Sequence, residues 1–232
     1  MVMQINERIT GSRFLRGVNI FGGVSKDISQ SETISLVNEL DKICKDFSDV
    51  ISVAKNSRSL FDRLKETGVL DYQIAKDHGV IGVAARAIGF NVDARIDYPY
   101  AAYDKINFQI ANEKTGDVFA RFYVRVKEVY ASIEIIKTAL KYISSSQENI
   151  LDIDQKNSLK KNYYSISITE GWRGDIVYFI STDANGCIDR VDLRDPSFLN
   201  WTALGYAGRG NMVPDFPLIN KSFSLSYSGN DL

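Results

Sequence analysis

Cysteine is scarce: Cys44 and Cys187 are the only two among 232 residues, far apart and in no paired spacing. That excludes a disulfide framework and any zinc or iron–sulfur site legible in the sequence. A reducing cytoplasm is the simplest compartment for such a chain. His78 is the only histidine and follows Asp77, a position that favours a helix cap or surface role over a ligand. No apolar run approaches the roughly 18 residues a membrane span needs. Met1 to Ile9 is polar and lacks the apolar segment of a signal peptide. Neither sign of charge dominates: 28 Lys and Arg against 29 Asp and Glu leave a net charge of -1. The basic residues are scattered, so nucleic-acid binding is not expected.

What is present suits an ordinary globular protein, 44% hydrophobic and 25% charged. The length fits one large domain or two small ones and is enough to bury a core. Ser31 to Ile34 offers helix-start chemistry, with Ser31 as N-cap. Leu36, Leu40, Ile43, Phe47, Val50 and Ala54 then alternate four and three apart, which predicts a helix from about Glu32 to Asn56. Cys44 beside this stripe reads as a small buried hydrophobe. Ser59 to Lys65 reads as a short helix. Asp77 to Ile88 is small and apolar, and its glycines permit close packing or a Gly-opened helix start. It is not GxGxxG, so no dinucleotide fingerprint is present. Asn91 to Tyr103 reads as a loop, either a hydrogen-bonded surface loop or the lining of a cavity or subunit interface. The strongest pattern is Phe122, Val126, Val129, Ile133, Ile136, Leu140 and Ile143, predicting a helix from about Asp117 to Ser144.

After a polar linker, Ser144 to Lys161, the period changes to two at Tyr164, Ile166 and Ile168, a strand signature. Gly171 to Gly174 breaks it. Ile176 to Thr182 and Cys187 to Leu193 flank the hairpin turn Asp183 to Gly186, and Pro196 opens a helix toward Ala207. The expected fold is α+β: a helix-dominated bundle with two long antiparallel helices and a small antiparallel sheet near the C-terminus. It is read as a single domain over 1–232, with an N-terminal β/loop segment (1–30), a helical core (31–145), a β-hairpin region (160–195) and a C-terminal helix and tail (196–232).

Several segments in order resemble one family. Thr10-Gly11-Ser12-Arg13 followed by Gly22-Gly23-Val24 is similar to a TGxR…GGV opening. Thr67-Gly68-Val69 and Gly82 to Gly89 resemble TGV…GxxARAxG, and Asp93 to Asp104 resembles DxRxDxPYxxYD. Gly116 to Arg121 is similar to GDVxAR, and Glu170 with Arg173-Gly174 to ExxRG. Together they resemble the C-terminal half of the large subunit shared by energy-converting nickel–iron hydrogenases, of formate hydrogenlyase and hydrogenase-4 type, and the quinone-site subunit of NADH:quinone oxidoreductase, complex I. Each match is weak alone; the ordered set is specific.

Arg194-Asp195-Pro196 stands where that family's C-terminal ligand loop begins, which in hydrogenases reads DPCxxC. Here Ser197 and Asn200 take the two cysteine positions. A hydroxyl and an amide do not replace thiolates on nickel, so the resemblance implies no nickel–iron centre and no cofactor bound by this chain. It implies Arg173, Arg194 and Asp195 as candidate catalytic residues, an arginine stabilising a quinol oxyanion. Surface or interface salt bridges remain the other reading of both arginines. Asp97 and Asp195 are candidates for proton relay. Arg95, Asp97, Tyr100 and Tyr103 are candidates for lining a cavity or interface. The implied partners are an iron–sulfur small subunit, membrane subunits and the missing N-terminal half of the large subunit. The implied place is the cytoplasmic side, peripheral to the inner membrane, with quinone as acceptor in the full complex and NADH bound by another subunit. The alternative is a redox-inert assembly subunit; an unrelated binding protein would lack the paired long helices. The isolated chain is expected to be inactive, with Trp201, Phe216 and Phe223 near docking surfaces.

Overall fold

The computed structural model describes residues 1–20, 23–145 and 159–231. Gly22 of the GGV match, Leu232 and most of the expected linker lie outside the described residues. The chain divides into two compact units, Met1–Ser48 with Ile133–Leu159 and Asp49–Ser132 with Lys160–Leu232.

The first unit opens on a helix where the sequence predicts β or loop. Val2–Thr10 forms α1, closed by Gly11 at φ 78, whose N–H donates to Glu7 O. This helix buries no residue. The Arg8 guanidinium holds it by clasping Glu39 at 2.5 and 2.8 Å. Two two-residue strands, β1 (Asn19–Ile20) and β2 (Gly23–Val24), pair antiparallel, which is the β part of the expectation.

The long helix α2 runs Gln30–Lys55. Its start is set by Ser29, not Ser31: the Ser29 N–H and hydroxyl donate to Glu32 Oε2 at 2.9 and 2.6 Å, a capping arrangement. The second long helix, α7, spans Val118–Ser145. In the first unit Lys137 of α7 pairs with Asp41 of α2 at 2.7 Å. In the second, the Lys55 ammonium lies 5.2 Å from the Tyr123 ring centre. The partners run in opposite order along the two helices, so they are antiparallel as predicted.

The stripes themselves are corrected. Val50 is 64% exposed and Ile51, at 6%, takes its place in the core. In α7, Val126, Ile133 and Leu140 are buried, but Ile136 and Ile143 are exposed. Ala120, Arg121, Val124 and Ile135 are buried off the stripe, so α7 is enclosed on more than one side.

Between the long helices lie α3 (Arg58–Leu64), α4 (Tyr72–Asp77), α5 (Gly82–Arg86) and α6 (Ala94–Asp97). His78 ends α4, its ring 4.9 Å from that of Tyr206. After α7 come β3 (Tyr164–Gly171), β4 (Gly174–Thr182) and β5 (Ile188–Arg194), one antiparallel sheet in that order. Asp183 builds the β4–β5 turn by accepting from the N–H of Asn185 and Cys187. Helix α8 (Pro196–Ala207) follows directly, with α9 (Phe216–Phe223) and α10 (Tyr227–Asn230) closing the chain. The core of this unit gathers Leu70, Val80, Ile88, Val118, Leu204 and Ile219. Phe223, expected at a docking surface, belongs to that core at 4% exposure, whereas Phe216 is half exposed and Trp201 packs its ring on Tyr227. Arg121 is buried as a bolt: it donates to Gly116 O, Gly68 O and Ser222 Oγ, and burial pulls its pKa down to about 9.

Candidate functional site

Helix α5 begins against the β3–β4 turn. Gly82 has φ +64, and a Cβ there would stand 2.0 Å from Arg173 O and 2.5 Å from Gly174 Cα. Only glycine allows that approach. The contact fixes where the helix begins, and so places Arg86, one turn on, inside the second unit at 2% exposure.

A charge is costly in such a position unless partners surround it. Arg86 Nη1 donates to Glu170 Oε1 at 2.8 Å and Val92 O at 3.2 Å. The same nitrogen is 3.7 Å from Asp93 Oδ2, and Nη2 is 2.7 Å from Glu128 Oε1. The Glu128 contact is one of charge rather than an aligned hydrogen bond, since Glu128 Oε1 has no hydrogen-bond partner. Burial works against the Arg86 charge, but Glu128, Glu170 and Asp93 outweigh it and hold the guanidinium more basic than usual. Glu170 is pushed up by burial, against the pull of Arg86, and its Oε2 accepts the Ala94 N–H at 3.0 Å. Asp93 is also penalised by burial, yet the Arg95 fork, at 2.9 and 2.6 Å, holds it below the usual carboxylate range. Asp93 caps α6 as well, through the Arg95 N–H.

Asp93 and Glu170 form part of the wall of a cleft of about 610 Å³. Asp97, Asp175 and Arg194 add charge to it, while Ile81, Val92, Ile168, Val177 and Leu199 supply aliphatic surface. Arg194 and Asp175 are ion-paired across β5 and β4. The site is thus a largely apolar hollow with fixed charges.

Of the residues proposed from sequence, Arg194 and Asp97 line this cleft. Arg95 and Tyr103 line a second hollow of about 470 Å³ with Pro99 and Phe108, and the Tyr100 hydroxyl accepts the Glu170 N–H at 3.2 Å. Arg173 and Asp195 do not line the cleft. Arg173 Nε donates to Ser224 O, and Asp195 caps α8 through the Ser197 N–H at 2.8 Å. Ser197 and Asn200 are buried at 0% and 2%. The Ser197 hydroxyl accepts from Ser226 N at 3.0 Å. Asn200 clasps Ile81, accepting from its N–H at 3.0 Å and donating to its carbonyl at 3.1 Å. Leu199 between them, not either polar residue, reaches the cleft. Among the described residues no group of three or more His, Cys, Asp or Glu is placed to hold a metal ion.

Sequence reasoning missed Arg86, Glu170, Asp93 and Asp175 as site residues, although each lies in or beside a quoted motif. The available signal was Arg86 itself, one charge between Ala85 and Ala87 in an apolar run.

Comparison with known proteins bears on this arrangement. The chain is 28% identical over 229 residues to formate hydrogenlyase subunit 5 of Escherichia coli, covering 99% of this chain and 40% of that protein. It is 29% identical over 244 residues to NADH-quinone oxidoreductase subunit 4 of Thermus thermophilus, covering 94% of this chain and 59% of that one. A similar solved structure is a chain of the membrane-bound sulfane sulfur reductase, described as an archaeal respiratory membrane complex. Its TM-score is 0.89 at 26% identity, with 99% of this chain and 63% of that chain covered. The chain therefore spans 40% to 63% of the length of these three. The family model of the respiratory-chain NADH dehydrogenase, 49 Kd subunit, matches residues 1–231, and the chain belongs to that family.

Proposed function

We propose that this chain is the cleft-bearing part of the large subunit of a membrane-associated, multisubunit oxidoreductase of the NADH:quinone or hydrogenase-like kind. The observation that carries the reading is the cleft, whose aliphatic walls suit a flat apolar headgroup and in which Asp93, Glu170, Asp175 and Arg194 are held by ion pairs. A quinone accepting electrons develops negative charge on its oxygens, and a preorganised cation in a low-dielectric hollow stabilises it. Arg194 is that cation. Glu170, raised by burial, is the group suited to hold a proton near the cleft. Electrons come from a partner iron–sulfur subunit, and NADH binds elsewhere. Among the described residues no helix is long and apolar enough to cross a membrane. The chain then sits on the cytoplasmic side, held to the inner membrane by partner subunits.

The residues at the hydrogenase ligand turn do not fit a nickel–iron centre. Ser197 and Asn200 offer a hydroxyl and an amide where soft thiolates are required, and both are engaged in internal hydrogen bonds. The purified complex is expected to contain no stoichiometric nickel by elemental analysis.

Quinone reductase turnover of the whole complex tests the reading. Arg194→Ala is expected to lower turnover by about 100- to 1000-fold, the range for loss of one preorganised charge-stabilising group. Arg173→Ala, whose guanidinium is tied to Ser224 O, is expected to lower it less. Unchanged turnover in both would favour the second reading, a redox-inert assembly subunit. That reading draws on the same engagement of Ser197, Asn200 and Arg173 in structural bonds.

A further inference from the structure

We propose that the outer edge of β3 is a docking strand, to which an extended segment of a neighbouring subunit adds beside Tyr164, Ile166 and Ile168. The inference rests on the multisubunit reading above and names one contact within it.

The sheet order β3-β4-β5 leaves two edges, and they differ in composition. Along β5 stand Asp189, Arg190, Asp192 and Arg194, four charges in seven residues. From Tyr164 to Thr169, β3 reads YSISIT, with no charge, proline or glycine. Charges and prolines along an edge discourage pairing with other chains. The β5 edge is defended in this way and the β3 edge is not, although Tyr164 is 68% and Ile166 58% exposed.

The backbone shows which groups are on offer. Thr182 N donates to Tyr163 O at 2.8 Å, and the register is continuous from there. In an antiparallel ladder alternate residues face the partner strand. Ser165, Ser167 and Thr169 therefore face β4, while Tyr164, Ile166, Ile168 and Glu170 face outward. Glu170 bears this out, since its N–H donates to the Tyr100 hydroxyl instead of to β4. Tyr100 covers the edge at that end. The outward groups of Tyr164, Ile166 and Ile168 have no partner among the described residues.

Side chains define the occupant. Ile168 lies opposite Val177, and both line the cleft. On the same face Ile166 lies opposite Phe179, so the cleft wall continues outward as apolar surface. The other face of β3 carries Ser165, Ser167 and Thr169. A fitting partner is an uncharged extended segment, apolar on the cleft side and small or hydroxylated on the other, joining by main-chain hydrogen bonds.

Deuterium exchange at single-amide resolution tests this, comparing the full chain alone with the chain in its native complex. Alone, the amides of Ser165 and Ser167 are expected to be protected and those of Tyr164, Ile166 and Ile168 fast. In the complex the three fast amides are expected to slow by about tenfold or more. Ile166→Pro removes an outward donor and spares the β3–β4 ladder; Ile166→Lys keeps the donor and charges the edge. Both are expected to reduce recovery of partner subunits by about tenfold with an unchanged circular dichroism spectrum of the chain. If Ile166→Pro does not fold, the exchange comparison on the unmodified chain still decides. A complex that forms while these amides stay fast overturns the docking strand alone. Protection already present in the monomeric chain, or appearing only with chain concentration, assigns the edge to the chain's own residues or to a second copy, and overturns it too. A chain that purifies without partners overturns the multisubunit reading and this contact with it.

Discussion

Arg86 and Glu170 are 84 residues apart in sequence and 2.8 Å apart in the fold, joined by a hydrogen bond between opposite charges. The two side chains are 2% and 7% exposed, and neither charge would be tolerated there without the other. The pair ties α5 to the last turn of β3, and through Asp93 and Ala94 it also ties in the loop that leads to α6.

Replacing Arg86 by Met leaves Glu170 as a buried carboxylate without its cation, while Asp93 keeps the Arg95 fork. A loss of about 3–5 kcal/mol in urea unfolding is expected, the usual result of removing one partner from a buried ion pair. Glu170→Gln keeps a hydrogen-bond acceptor and should cost less, about 1–3 kcal/mol. A loss below about 1 kcal/mol for Arg86→Met would mean that water reaches the carboxylates and the cluster is not sealed.

The two carboxylates should respond to pH in opposite senses. Asp93 has a lowered pKa in the folded state, so it contributes stability above its unfolded value that is lost as pH falls through the folded one. Glu170 has a raised pKa, so its contribution is complete below the unfolded value and is lost as pH rises through the folded one. Melting temperatures of Asp93→Asn, followed downward from about pH 4, should fall less steeply than those of the unmodified chain. Glu170→Gln should gain relative to the unmodified chain as pH rises from about 4. Parallel curves for either variant would show that its carboxylate does not titrate as its surroundings require.

Much of the frame was legible before the structure. Both long helices, the Asp183–Gly186 turn and the Pro196 helix start depend on local pattern, and local pattern is what a sequence displays. Helix α1 was not legible, because it buries nothing and is held by Arg8 reaching Glu39, a contact between distant residues. The ion cluster was hidden for the same reason. Arg86 finds Glu128 and Glu170 on elements far along the chain, and no window of residues contains all three. Asp195 and Ser197 stood out by family likeness, yet in the fold they cap a helix and hold the C-terminal segment.

Gly82 and Gly205 offer a paired test of the site's construction. Gly82→Ala drives a methyl group into the Arg173–Gly174 backbone at a left-handed φ, and a loss of about 3 kcal/mol or more is expected. Gly205 lies on the exposed side of α8 with nothing within 4 Å of an added Cβ. Gly205→Ala should therefore stabilise by about 0.5–1 kcal/mol through helix propensity alone. Tolerance of Gly82→Ala would mean that α5 and the β3–β4 turn are not pressed together.

Val50 and Ile51 show how a periodic reading slips. Spacing by strict fours and threes averages 3.5 residues per turn, while a straight helix advances 3.6, so a heptad stripe drifts by about 20° per repeat. Two repeats from Leu36 the stripe named Val50, whereas the helix had turned Ile51 inward, to 6% exposure against 64% for Val50. Ile51→Ala is expected to cost about 2–5 kcal/mol in chemical unfolding, because the surrounding core closes only partly around the lost atoms. Val50→Ala should change stability by no more than about 0.5 kcal/mol, as exposed substitutions usually do. Equal costs at the two positions would place the buried seam where strict heptad spacing drew it, and would contradict the observed rotation of α2.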